Sequence, residues 1–233
     1  MPKFWSLPKS DKLDFHWLFI WSLIYLSFLL LDLFRPHFQG SMLIKYAGIF
    51  LCTVYAYQKY RQDNNLILAL FSTFLADTIL VWTPYEALGV FIFCFAQFLH
   101  TMRLWSLGPA ALKFYSASLI VFSLFLIKVV GISLLYAIAG IYALELCLNL
   151  LLALRQYRLK PLSFAARCAC FGFLLFFACD FCVGLRHLML DGVLSAHMLP
   201  LVAFLVWVFY LPSQVLLAAS SNLAPREAAS KNV

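Results

Sequence analysis

The chain has 233 residues, of which 64% are hydrophobic and only 12% are charged. A soluble domain carries about 25% charged residues, so this composition excludes a soluble globule with a single apolar core. The formal net charge of +7 comes without a basic block or a nucleic-acid-binding motif, so we expect no nucleic-acid partner.

Long unbroken apolar runs predict helices that cross a membrane, because the strands of a membrane barrel would alternate apolar and polar residues. We expect an all-α, polytopic membrane domain of about eight helices over residues 15–219, flanked by cytoplasmic segments 1–14 and 220–233. The predicted spans are Phe15–Phe34, Met42–Tyr57, Asn65–Trp82, Tyr85–Met102, Ala110–Ile127, Val129–Leu154, Leu162–Leu185 and Val193–Ala219.

Prolines support several boundaries between these spans. They are Pro36, Pro84, Pro109 and Pro161. The apolar run from Ala110 to Leu154 is too long for one crossing, so we expect a tight hairpin near Lys128–Gly131. Pro212, inside the last span, is expected to kink it.

Lysine and arginine residues are distributed unevenly between the two faces that these spans define. One face collects 13 of the 17: Lys3, Lys9, Lys12, Lys59, Arg61, Arg103, Lys113, Arg155, Arg158, Lys160, Arg167, Arg226 and Lys231. Because the cytoplasmic face of a membrane protein carries the excess of basic residues, both termini are predicted to be cytoplasmic. In a bacterial source the membrane would be the cell or inner membrane.

Two aspartates, Asp77 and Asp180, lie inside the third and seventh apolar runs. A carboxylate near the bilayer centre costs about 2.5–3.5 kcal/mol on insertion scales, which indicates a functional role for each. Both spans run in the same direction, so the acids should lie at similar depths in the non-cytoplasmic half and face one cavity. The match of residues 74–77 with residues 177–180 suggests a parallel pseudo-repeat of four plus four helices.

Other polar residues of the spans leave two interpretations open. Asp32, Arg35 and Glu86 fit interfacial charges that pair with one another, such as Asp32 with Arg35. Lys45 either contacts substrate or pairs with one acid and keeps it ionised. A second polar level either holds helices together by hydrogen bonds or continues a polar cavity. Its members are Gln97, His100, Glu145, Asn149 and Gln214.

These residues resemble motifs of the YhhN-like membrane proteins, which include the lysoplasmalogenases. The third helix of that family looks like Leu75–Leu80. The following helix, with Gly, Phe, His and Tyr at fixed spacing, is similar to Gly89, Phe93, Gln97 and His100. The second acid motif resembles Gly172, Phe176, Cys179 and Asp180, the final Tyr-x-x-x-Gln resembles Tyr210 and Gln214, and Lys-Pro resembles Lys45-Tyr46.

This chain departs from the family pattern at four positions. They are Gln97 in place of His, His100 in place of Tyr, Cys179 in place of Ser and Tyr46 in place of Pro. Both acids are retained. These differences are compatible with a divergent enzyme of the same class or with a changed substrate.

The resemblance implies hydrolysis of the vinyl ether of a lysoplasmalogen, drawn from the bilayer, to a fatty aldehyde and a glycerophospho-headgroup. Asp77 and Asp180 would be the catalytic acids, and no metal or cofactor is expected. The implied substrate contacts are Lys45, Gln97, His100, Tyr210 and Gln214. Burial favours the neutral form of a carboxyl group and a like-charged neighbour does the same, so one acid could be protonated while the other is ionised.

Two other functions compete with this interpretation. Paired acids inside a membrane also suit a proton-coupled transporter or a lipid-binding protein. A zinc hydrolase like the alkaline ceramidases would need His187 and His197 near Asp180, with further ligands that the sequence does not place. Cys179 and Cys182 form a C-x-x-C pair, but thiols buried in lipid behave as small hydrophobes.

The charge distribution generates a test of the topology. A cysteine introduced at Thr83 should react with a membrane-impermeant maleimide in intact cells, whereas one at Tyr157 should react only after permeabilisation. The opposite labelling pattern would reverse the predicted orientation of every span.

Overall fold

The computed structural model describes residues 13–35, 40–105 and 108–221. Pro36 and most of the two predicted terminal segments lie outside these residues. The described chain is all-α, and its eight α-helices are α1 (Phe15–Phe34), α2 (Gly40–Lys59), α3 (Asn64–Trp82), α4 (Glu86–Leu104), α5 (Pro109–Phe125), α6 (Leu134–Leu159), α7 (Phe164–Leu190) and α8 (Leu199–Ala218).

Seven helical segments of the described chain are long and apolar enough to cross a membrane. They are α1, α3, α4, α5 with the π-helical turn that follows it, α6, α7, and α8 with the short 3₁₀ turn before it. The remaining helix, α2, packs within the bundle and buries the polar side chains of Ser41, Lys45 and Thr53. The prediction of a polytopic, all-α membrane protein is therefore confirmed.

Six helices form a closed ring in the order α2, α3, α4, α6, α7 and α8, with α8 returning to α2. The other two lie outside the ring: α1 packs on α2 and α8, and α5 packs on α6. The two halves of the chain thus have a similar pattern of neighbours, although the pseudo-repeat itself stays a prediction.

The closest helix pairs, α3 with α4 and α7 with α8, depend on glycines. A Cβ atom at Gly89 would lie 2.5 Å from the side chain of Leu80. A Cβ atom at Gly172 would lie 3.0 Å from the side chain of Leu217 and 3.2 Å from its backbone nitrogen. Both glycines therefore allow a neighbouring helix to approach more closely than any other residue would.

The predicted helix bounds agree closely with the structure in the first half of the chain. The bounds of α1 are those expected, and α2, α3 and α4 differ by at most two residues. The expected break near Lys128–Gly131 is confirmed, because a π-helical turn covers Leu126–Val130 and Gly131 has a φ of 75°.

The prediction was less accurate for the later helices. α6 begins five residues later than predicted, α7 ends five residues later and α8 begins six residues later. Local turn chemistry sets these ends: Gly192 adopts a φ of 74° just after α7, and the Ser195 hydroxyl accepts the His197 N–H at 3.5 Å before α8. Apolar residues continue through these turns, so hydropathy alone did not reveal them.

Turns of the same form connect α2 to α3 and α6 to α7. The Asp63 side chain accepts the N–H of Leu66 at 3.0 Å, and the Ser163 hydroxyl accepts the N–H of Ala166 at 3.3 Å. Each side chain thereby satisfies a backbone donor in the first turn of its helix. We call this end of the bundle the Asp63 end and the opposite one, where α3 finishes, the Trp82 end.

Pro212 lies inside α8 and has no N–H, so the carbonyl of Val208 loses its normal helical partner. The hydroxyl of Tyr25, in α1, donates a hydrogen bond of 3.0 Å to that carbonyl. The proline defect in α8 therefore becomes an attachment point for the peripheral helix α1.

We expect Tyr25→Phe to lower stability by about 0.6–1.7 kcal/mol, the range for hydrogen bonds between membrane helices. In a Pro212→Ala background, where residue 212 supplies its own N–H, the same substitution should cost much less. Thermal unfolding of the four proteins in detergent measures this coupling, with Tyr136→Phe, at an exposed tyrosine, as the control. Equal effects of Tyr25→Phe in both backgrounds would contradict the role given to Tyr25.

Candidate functional site

Asp77 is positioned by contacts from two other helices. It is half-buried in α3, and the Tyr210 hydroxyl of α8 donates a hydrogen bond of 2.5 Å to its carboxylate. The Tyr46 hydroxyl of α2 donates to the backbone carbonyl of Asp77 at 2.9 Å. The acid therefore faces the interior of the ring, where phenol groups replace water as hydrogen-bond donors.

Asp180 is held in a similar way. It is half-buried in α7, and its carboxylate accepts a hydrogen bond from the Tyr142 hydroxyl of α6. Asp77 lies 13 residues into its helix and Asp180 lies 16 residues into its own, both counted from the Asp63 end. This corresponds to a difference in depth of about 4.5 Å along the helix axis.

Aromatic rings connect the two phenol–carboxylate pairs. The Tyr142 ring lies 5.6 Å from that of Phe93, Phe93 lies 6.5 Å from Phe176, and Phe176 lies 5.8 Å from Tyr210. These contacts place both carboxyl groups in one part of the bundle interior. The structure thus brings Asp77, Asp180 and Tyr210 of the predicted site into one cluster, which we call the acid cluster, and adds Tyr142.

Lys45 lies beside this cluster and does not contact either acid. Its ammonium group forms an ion pair of 2.6 Å with Asp32 of α1, so the predicted pairing of Asp32 with Arg35 is not the one observed. The Lys45 ammonium also lies 4.6 Å from the ring centroid of Trp207, and that ring lies 5.7 Å from the Tyr210 ring. An aromatic residue therefore separates the buried cation from the acid cluster.

Gln97, of the second polar level, lies toward the Asp63 end and is fully buried. The Asn149 amide donates to the backbone carbonyl and the side-chain oxygen of Gln97, each at 2.9 Å, and the Thr101 hydroxyl donates to Asn149 at 2.9 Å. These bonds join α4 to α6. They support the helix-holding interpretation for Asn149 and for the oxygens of Gln97, whereas Nε2 of Gln97 has no hydrogen-bond partner within the described residues.

His100 and Gln214 each keep one unpaired atom. The Arg103 guanidinium lies 3.1 Å from Nδ1 of His100, and because a guanidinium only donates, Nδ1 must accept and Nε2 carries the proton. That Nε2 has no hydrogen-bond partner within the described residues, and neither does Oε1 of Gln214. Both atoms are fully buried, so this part of the second level retains the capacity to bind a polar group.

Two features of the site region were missed by the sequence reasoning. Tyr142 lies two turns before Asn149 on α6, a spacing that could have identified it. Arg103, which the sequence places among the basic residues of one face, is buried and donates to the Asp63 carboxylate at 3.2 Å and to the Ser220 carbonyl at 2.9 Å. The proximity of Asp63 could not be read from the sequence, because 40 residues separate it from Arg103.

Within the described residues, no group of three or more His, Cys, Asp and Glu side chains could hold a metal ion. His187 and His197, which a zinc hydrolase would need, are both exposed. Cys179 and Cys182 are free thiols.

Comparison with known proteins gave one result. The model of the YhhN family matches residues 40–221, which is most of the chain and includes every residue of the acid cluster. α1, with Tyr25 and Asp32, precedes the matched region. No curated protein and no solved structure gave a match.

The Arg103–Asp63 pair predicts a large effect on stability. Arg103→Met leaves the Asp63 carboxylate without its cation. Breaking a fully buried pair costs about 3–5 kcal/mol, and because the Asp63 side chain keeps 21% of its surface exposed we expect a loss at or below the lower end of that range. The unfolding midpoint in detergent should therefore fall well below that of Arg158→Met, which alters an exposed arginine. A midpoint equal to that of the Arg158 variant would show that the pair adds no stability.

Proposed function

Because the chain belongs to the YhhN family, which includes lysoplasmalogenases, we propose that it hydrolyses the vinyl-ether bond of a lysoplasmalogen or a related lysolipid. The products are a fatty aldehyde and a glycerophospho-headgroup. The observation that carries the proposal is the acid cluster, in which two carboxyl groups of different helices are each held by a phenol hydroxyl.

The reaction begins with a proton transfer from a neutral carboxyl group to the outer carbon of the vinyl ether. The carbon bonded to oxygen then becomes an oxocarbenium-like cation, which a nearby carboxylate stabilises as in glycosidases. Water attacks this carbon and gives its proton to the carboxylate, forming a hemiacetal. The carbon–oxygen bond to glycerol then breaks as the glycerol oxygen takes the proton that the second carboxyl group had accepted from water. The hemiacetal hydroxyl gives its proton to the first carboxylate, so the aldehyde leaves and both acids return to their starting states.

The surroundings of the acids suit this division of roles. Two carboxylates close together in a medium of low dielectric cannot both be ionised without a large cost, so one carries a proton. Hydrogen bonds from Tyr142 and Tyr210 favour the charged form of whichever acid has lost its proton. The pair therefore provides a general acid and a general base without a cofactor.

Access from the bilayer also favours a lipid substrate. Asp77 and Asp180 are half-buried, so neither is sealed inside the ring. Exposed apolar side chains such as Phe177 and Phe181 lie beside Asp180 on α7. A lysolipid could place its ether bond at the acid cluster while its hydrocarbon chain stays in the membrane.

We expect Asp77→Asn and Asp180→Asn each to lower turnover by about 10²–10⁴, the range typical of general acid–base catalysis. Because the two acids act as a unit, the double variant should be little worse than the poorer single variant. Release of aldehyde from a vinyl-ether lysolipid by purified protein measures the activity. Asp191→Asn, at an exposed aspartate next to α7, is the matched control and should leave turnover unchanged.

The same assay separates hydrolysis from transport. An enzyme releases aldehyde in detergent without any ion gradient, whereas a proton-coupled transporter moves lipid only across a sealed membrane with a gradient. Near-normal turnover of either single amide variant would make that aspartate structural and would contradict the proposed mechanism.

A further inference from the structure

The ion pair of Asp32 and Lys45 is a second charged site of the bundle, next to the acid cluster. Lys45 is 5% exposed, and the side chain of Asp32 retains 17% of its surface. The Ser41 hydroxyl donates to the other oxygen of Asp32. The pair lies near the Trp82 end, since Asp32 is in the last turn of α1 and Lys45 in the second turn of α2.

Aromatic faces surround the cation of this pair. The Lys45 ammonium lies 4.6 Å from the ring centroid of Trp207 and 5.5 Å from that of Phe28. Phe28 is fully buried, whereas Trp207 is only half-buried and presents part of its surface outward. Aromatic faces that attract an ammonium group in this way are also used to bind quaternary ammonium ligands.

Contacts between neighbouring side chains connect the Asp32–Lys45 pair to the acid cluster. Trp207 packs against Tyr210, whose hydroxyl bonds to Asp77. Tyr46, the neighbour of Lys45 in sequence, donates to the backbone of Asp77. A substrate with its ether bond at Asp77 would extend its glycerol carbons past Trp207 and bring its phosphate toward Lys45.

We propose that the Asp32–Lys45 pair recognises the zwitterionic headgroup of the lysolipid: Lys45 binds the phosphate, Asp32 binds the ammonium group, and Trp207 packs against that ammonium. This inference rests on the proposed function, since it assumes that a lysolipid reaches the acid cluster. Asp32 comes from α1, which lies before the region that matches the family.

Charge balance explains why this site selects among headgroups. When a zwitterionic headgroup binds, Lys45 exchanges Asp32 for the phosphate, and Asp32 exchanges Lys45 for the ammonium group. Every charge therefore keeps a partner of opposite sign in a medium of low dielectric. An anionic headgroup without an ammonium group would take Lys45 and leave Asp32 without a cation. The site therefore favours phosphoethanolamine and phosphocholine lysolipids over lysophosphatidic acid.

Binding of saturated 1-O-alkyl lysolipids tests the inference without hydrolysis, because these molecules lack the vinyl ether. We expect purified wild-type protein to bind the ethanolamine and choline forms at least tenfold more tightly than the phosphatidic acid form. Asp32→Asn should remove that preference, because it weakens binding of the two zwitterionic lipids and strengthens binding of the anionic lipid. Lys45→Met should weaken the binding of all three lysolipids at least tenfold.

Two further variants make the result specific. Asp14→Asn removes a different ion pair, the 3.1 Å contact of Asp14, just before α1, with Lys59 of α2 at the Asp63 end, and should leave the ratio unchanged. Trp207→Leu keeps both charges. It should weaken binding of the choline lysolipid by about threefold relative to binding of the phosphatidic acid form, which is the scale of an exposed cation–π contact.

Equal wild-type affinities for zwitterionic and anionic headgroups would overturn the inference. It would also be overturned if folded Asp32→Asn kept the wild-type ratio or, should that variant not fold, if Trp207→Leu kept it. The proposed function fails separately: headgroup-selective binding without aldehyde release would refute the hydrolase and leave a lipid-binding site.

Discussion

A carboxyl group in hydrocarbon has no water to accept hydrogen bonds from, and the interior of this bundle is organised around that constraint. Each acid of the cluster takes a phenol hydroxyl from a helix other than its own. To supply those hydroxyls, α8 must be rotated with Tyr210 inward and α6 with Tyr142 inward. Two hydrogen bonds therefore fix which side of α3, α6, α7 and α8 faces the interior of the bundle.

The same constraint operates at the Asp63 end of the bundle. Arg103 spreads its donors over Asp63, His100 and the end of α8, so that one guanidinium fixes three chain segments. The Ser221 hydroxyl also contacts the Asp63 carboxylate, at 3.4 Å. The side chains of Ser220 and Ser221, which follow α8, are buried in the bundle. The buried charge of Arg103 holds them there.

Much of this architecture could be predicted from the sequence because hydrocarbon thickness sets helix length. The length of a membrane-spanning helix predicted the bounds of α1 and the break around Gly131. The cost of a carboxylate in lipid predicted the inward positions of Asp77 and Asp180. Helix ends inside apolar stretches were harder, since a single glycine or serine sets them and hydropathy does not change there.

The partner of Lys45 could not be predicted, for a different reason. Helices that are apolar all round carry no pattern that fixes which face meets a neighbour. Asp32 and Arg35 lie one turn apart and could pair locally, whereas the observed partner of Asp32 comes from another helix. The choice depends on how α1 packs against α2 and α8, which is a property of the assembled ring.

The contact between Tyr25 and the Val208 carbonyl has a consequence for assembly during synthesis. α1 is made before the other described helices, but that contact lies on α8, which is made after them. Until α8 is inserted, α1 can pack on α2 alone, and Trp207 is not yet present beside Lys45. The peripheral helix α1 can therefore complete its packing only after the six described helices between it and α8 have been made.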